Sequence, residues 1–191
     1  RQSMKKVKFT VLILLILISQ TAAMASGEIW TTDFEAAKEK ALKEKKDLLL
    51  DFTGSDWCGW CVRLKDEVFS KEYFQKEAPK DFILVELDFP RKKKIPEKLA
   101  AKNRELAAKY EIRGYPTILL CSPDGVPYGK TGYKAGGPEG YVEHLRSIKK
   151  AALQLKEIEN ELTGLKGIDR ARKLDQKLKI AEDLGSRIDQ V

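Results

Sequence analysis

The chain has 191 residues, of which 42% are hydrophobic and 34% charged, with three cysteines and a formal net charge of +7. That length fits one domain with an appendage, and the composition excludes collagen-like, low-complexity disordered and polytopic membrane proteins. Three cysteines in a chain this long also exclude a disulfide-stapled mini-protein.

The first 25 residues have the order of a secretory signal peptide. Met4, Lys5, Lys6 and Lys8 open a basic segment, Val11 to Ile18 is a nearly unbroken apolar run, and Ala23-Met24-Ala25 places small residues at −3 and −1. The run is shorter than the ~20 apolar residues a membrane span needs. Cleavage is expected after Ala25, with Ser26 as the new N-terminus and no stable membrane insertion afterwards. This segment holds four cations and no acid, so its removal lowers the net charge from +7 to +3. The basic balance is therefore largely a targeting signal and points to no nucleic-acid partner.

Thr32-Asp33-Phe34-Glu35 fits a capping box with Thr32 as the cap, and Phe34, Ala37, Ala41 and Leu42 follow at helical spacing. Leu48 to Thr53 is a short apolar run bounded by Gly54 and reads as a buried strand. Cys58 to about Lys76 reads as a helix with Val62, Leu64, Val68, Phe69 and Phe74 as its apolar positions, Phe82 to Asp88 as a second buried strand, and Arg91 to Lys94 as a solvated basic loop. Pro96 opens a helix carrying Leu99, Ala100, Leu106 and Tyr110. Pro116 to Cys121 is a third strand, Ser122-Pro123-Asp124-Gly125 a turn, and Val126 to Thr131 its hairpin partner. Gly136-Gly137-Pro138 then introduces a long helix. The order α-β-α-β-α-β-β-α predicts an α/β fold, a central mixed sheet with helices on both faces. Residues 26–147 form this domain. Residues 148–191, with Gly164 and Gly167 as interruptions, read as a C-terminal helical extension that adds a packing layer, with a dimerisation or docking helix as the alternative.

The chemistry lies in Asp56-Trp57-Cys58-Gly59-Trp60-Cys61, between a strand and a helix. Two cysteines separated by two residues at a helix start suit reversible disulfide exchange. An exposed Cys58 sulfur would meet the unpaired N–H groups of the first turn, a setting that lowers a thiol pKa from ~8.5 into the range ~3.5–7.5. Cys61, one turn on, can resolve a mixed disulfide. The indoles of Trp57 and Trp60 can present an apolar surface to a substrate peptide. Zinc would need more ligands than His144 can add, and haem attachment would need His where Val62 stands. A purely structural disulfide stays open as an alternative in an exported protein.

Leu49-Leu50-Asp51-Phe52, Trp57-Cys58-Gly59-Trp60-Cys61 and Arg113-Gly114-Tyr115-Pro116-Thr117, in this order and spacing, resemble the thioredoxin superfamily. The likeness runs from about Ile29 to Ser147 and is nearest to periplasmic disulfide-bond oxidoreductases. It implies a thioredoxin fold and thiol–disulfide exchange in the periplasm, without cofactor or metal. It makes Cys58 the nucleophile, Cys61 the resolving thiol and Pro116 a cis-proline facing the disulfide. Tyr115 would pair with the backbone of a substrate, as an added strand does. Asp51 resembles the buried acid that takes the proton of the resolving thiol.

Two departures stand out. The segment from Phe52 to Trp57 is one residue longer than in thioredoxin, which could turn Asp51 away from Cys61. Glu86 stands where thioredoxin has a lysine, and could share or take over the proton role. Cys121 reads as a small buried hydrophobe, with a reactive thiol as the sharper alternative, and His144 as structural or surface.

Known potentials in the superfamily run from ~−270 mV for thioredoxin to ~−120 mV for the strongest oxidant. Strong oxidants carry His between the cysteines, and this chain has Gly59-Trp60. The expectation is a reductase of disulfide-containing exported proteins, recharged by a membrane electron donor. An oxidase or isomerase, or a binding module with a static cysteine pair, are the alternatives.

Overall fold

The computed structural model describes residues 29–188; the expected signal peptide lies outside them. The elements are β1 (Trp30–Thr31), α1 (Phe34–Glu44), β2 (Asp47–Thr53), α2 (Gly59–Leu64), α3 (Glu72–Asp81), β3 (Phe82–Asp88), α4 (Glu97–Lys109), β4 (Thr117–Cys121), β5 (Pro127–Thr131), α5 (Gly137–Leu162) and α6 (Gly167–Ile188). The strands form one sheet in the order β1-β3-β2-β4-β5. β1, β3 and β2 run parallel, β4 lies antiparallel to β2, and β5 antiparallel to β4. This is the expected mixed sheet. Among the described residues no helix is long and apolar enough to cross a membrane.

Both faces of the sheet are covered, which is why β2, β3 and β4 read as continuous apolar runs rather than as alternation. Successive side chains go to opposite faces. Leu48, Leu50 and Phe52 pack with Phe34, Ala37 and Ala41 of α1. Leu49 goes the other way, to Leu64, Phe69, Phe74, Tyr141 and Leu145. Asp51 shares the parity of Leu49, and so faces the helices that follow the cysteine pair.

Four local expectations are corrected. The cap of α1 is Asp33, whose carboxylate accepts from the N–H groups of Glu35 and Ala36; the helix starts one residue later than expected, so its free N–H groups fall to Asp33 rather than Thr32. β1 precedes α1, and two residues are too few to leave a periodic signal. The helix drawn from Cys58 to Lys76 is broken. α2 passes into a π-turn over Lys65–Phe69, where Ser70 N–H donates to the Lys65 carbonyl five residues back, and α3 begins afresh at Glu72. Val62, read as a core position, is exposed.

α5 runs unbroken through residues 147 and 148, and Ile148 is fully buried. A Cβ on Gly129 of β5 would come 2.3 Å from Ile148 Cγ2, so glycine is required where β5 meets α5. α6 folds back on α5. Lys173 pairs with Glu161, Lys177 with Glu159, and Leu184 enters the same core cluster as Leu49 and Phe74.

Candidate active site

β2 ends at Thr53, and Gly54 starts the turn that leads to the cysteines. Trp57 and Cys58 both donate their N–H groups to the Gly54 carbonyl, at 3.2 and 2.9 Å. Cys58 is the N-cap of α2 in extended conformation, and its Sγ accepts the Cys61 N–H at 3.2 Å. The two cysteines form a disulfide with a Cα separation of 5.2 Å. Cys61 Sγ also accepts the Gly54 N–H at 3.5 Å. Cys58 is 7% exposed and Cys61 4%. The sulfur expected to stand open is thus nearly covered in the disulfide form, because it turns inward to Cys61 and that residue's N–H.

Asp51 lies under this turn. It is 5% exposed, and its Oδ1 has no hydrogen-bond partner among the described residues. Burial pushes its carboxyl well above the usual carboxylate range; the charges of Glu86 and Asp88 push the same way and Lys65 opposes them. The parallel register sets Asp51 directly beside Glu86. Asp51, Cys61, Lys65 and Glu86 all line one cavity of about 220 Å³. The longer turn therefore does not carry Asp51 away from the resolving cysteine. Glu86 does occupy the strand position next to it. The cation comes instead from the end of α2, as Lys65, one turn after Cys61 on the same helix face; that i, i+4 spacing was the signal that could have found it.

The antiparallel register pairs Phe52 with Thr117, so residues 115 and 116 continue past the end of β2, at the rim that holds Gly54 to Cys58. The Tyr115–Pro116 peptide bond is cis. The Tyr115 ring stands edge-on to Trp57 with centroids 5.6 Å apart, and Phe89 lies against Tyr115 at 5.2 Å. Trp57 Nε1–H donates to the Phe89 carbonyl at 2.7 Å. Trp60, 55% exposed, goes to another side, against Tyr133 at 5.0 Å. Arg63 lies over both of those rings and bonds Glu67, which also accepts the Tyr133 hydroxyl. Phe89, Tyr133 and Arg63 carry no motif; only an i, i+4 spacing hinted at the Arg63–Glu67 pair.

The remaining candidates lie elsewhere. Cys121 is fully buried at the far end of β4, and burial pushes its thiol up to about 12. His144 is buried, with Nε2 2.9 Å from Thr131 Oγ1, which removes the surface alternative.

The thioredoxin-like family matches residues 29–123. The chain is 32% identical over 133 residues to the disulfide bond reductase DsbH of Chlamydia pneumoniae, covering 70% of this chain and 80% of that protein. The chain belongs to the thioredoxin superfamily. A solved structure titled DsbH oxidoreductase matches this thioredoxin-like chain with a TM-score of 0.61 at 33% identity, covering 70% of this chain and 92% of that one. The thioredoxin-related protein DsbJ of the same organism is 29% identical over 127 residues, 64% of this chain but only 36% of DsbJ. With its cysteine pair at the helix start, this thioredoxin-like chain is a thiol–disulfide oxidoreductase.

Proposed function

We propose that the protein is an exported reductase of protein disulfides that works in the periplasm and is recharged by a membrane thiol donor. The observation that carries this reading is Cys58 Sγ accepting the Cys61 N–H at the first turn of α2, beside Trp57 and the Tyr115–Pro116 bond. An N–H donor at a helix start stabilises sulfur as an anion, the form that attacks. Similarity to DsbH, a disulfide bond reductase, and the absence of His between the cysteines favour the reducing direction.

In the reduced protein the Cys58 thiolate attacks one sulfur of a substrate disulfide. A mixed disulfide forms and one substrate thiolate leaves. The Cys61 thiolate then attacks Cys58 Sγ, and the second substrate thiolate leaves. Two electrons pass to the substrate, which ends as two thiols after taking up two protons, and Cys58–Cys61 becomes a disulfide. Asp51 accepts the Cys61 proton in the second step, by way of the cavity the two share. A donor dithiol returns both electrons. Trp57 and Trp60 bind apolar parts of the substrate, and Tyr115 offers its backbone at the cis bond.

Equilibration with glutathione, followed by trapping with Cys61→Ser, tests this. A potential near ~−270 mV and mixed disulfides through Cys58 are expected. A potential near ~−120 mV would make the protein an oxidant. No insulin reduction by wild type, with Cys58→Ser as control, would leave a binding module.

A further inference from the structure

The basic loop that follows β3 is fastened to the turn that carries the nucleophile. Asp56 Oδ1 accepts the Arg91 N–H at 2.9 Å, and Oδ2 accepts those of Lys92 and Lys93 at 2.7 Å each. Asp56 is two residues before Cys58. Arg91 lies with its guanidinium 3.8 Å from the Trp57 ring centroid, over the indole next to Cys58. Arg91, Lys92, Lys93 and Lys94 are all exposed. Of these four, only Lys93 makes an ion pair with a described residue, Asp88 at 3.7 Å. Two acids offset part of this charge, Asp56 within the clamp and Asp88 beside Lys93. Asp56 faces backbone donors, Asp88 accepts Ser55 N–H and Oγ–H, and Glu97 pairs with Arg104. Across the disulfide, Arg63 is balanced by Glu67. The rim is thus positive on the Trp57 side, and the positive charge is held in place there rather than on a freely moving loop.

We propose that the Arg91–Lys94 loop is a specificity-determining surface that selects disulfides lying in acidic segments of the substrate protein. The inference rests on the reductase reading above. An acidic segment approaching Cys58 gains attraction from Arg91, Lys92 and Lys94, on a loop whose backbone is clamped to the turn two residues before Cys58, which raises the encounter rate and disfavours a basic competitor.

The test uses two disulfide-bonded peptides of equal length, one with Asp/Glu flanking each cysteine and one with Lys. Rates are read with dithiothreitol as electron source, and uncharged hydroxyethyl disulfide as a third substrate. At low ionic strength the acidic peptide should be reduced about tenfold faster, and the ratio should fall toward one at high salt, as exposed charges are screened. The triple variant K92Q/K93Q/K94Q should slow the acidic peptide and speed the basic one, a crossing that a folding defect cannot produce. Equal rates for the two peptides at low salt, with hydroxyethyl disulfide turned over, would overturn the charge preference and leave the reductase standing. No turnover of hydroxyethyl disulfide would overturn both.

Discussion

Gly54 lies beneath Trp57 so closely that a Cβ at residue 54 would come 2.5 Å from the indole. The indole cannot simply slide, because its Nε1–H is tied to the Phe89 carbonyl. Gly54→Ala should therefore cost about 1–3 kcal/mol, the usual range for overpacking. It should also slow reduction of peptide disulfides. Adding Trp57→Leu should restore part of the stability, as judged by urea midpoints. Wild-type stability in the single variant would mean the contact is slack.

Asp51 gives stability a pH slope of definite sign. Its native pKa is raised, so above pH ~4 the folded protein keeps a proton that the unfolded chain has released. Stability should fall as pH rises from there to the raised pKa, by at most about 1.4 kcal/mol per pH unit. Asp51→Asn should remove that slope and be more stable than wild type at pH ~8. If Asp51 also takes the Cys61 proton, the same variant should flatten the pH profile of disulfide exchange. Parallel stability curves for the two proteins would contradict the buried carboxyl.

Asp56 behaves oppositely. The N–H donors of Arg91, Lys93 and Lys92 hold its carboxyl below the usual range. The order it gives the loop should persist down through pH ~4 and be lost only as pH falls through the depressed native pKa. Amide resonances of residues 91–93 should move together at that point and nowhere above it. Asp56→Ala should shift them at every pH.

Cys121 should resist thiol reagents in the folded, reduced protein, and react at a rate set by opening of the structure. Cys58 should label first. Fast labelling of Cys121 without denaturant would contradict its burial.

Leu184→Ala should cost about 2 kcal/mol, within the range for buried Leu truncations, because this side chain ties α6 to the core beneath the sheet. A change within error would mean that α6 sits on the surface of α5 alone.

What the sequence made legible was what local chemistry dictates. The apolar runs at Leu48–Thr53 and Phe82–Asp88 had few other fates than buried strands, and Cys58 and Cys61 at a strand–helix junction announced their chemistry. The illegible parts depend on distant partners. Asp56 reads as an ordinary turn acid until residues 35 to 37 positions away present their N–H groups to it. Lys65 reads as a solvent-facing helix residue until the sheet register sets Asp51 and Glu86 beside the helix face it shares with Cys61. Phe89 and Tyr133 are single aromatics in loops, and only the folded rim shows that Trp57 leans on one and Trp60 on the other.

The clamp at Asp56 is made wholly of main-chain donors, so the shape of the loop and its charge are independent properties. Any side chain can stand at residues 91 to 93 without loosening the tether, except proline, which has no N–H to give. Exchanges at residues 92 and 93 therefore change the loop's charge while the clamp beside the nucleophile stays as it is; only residue 91, through the Arg91 guanidinium over Trp57, reaches that rim itself.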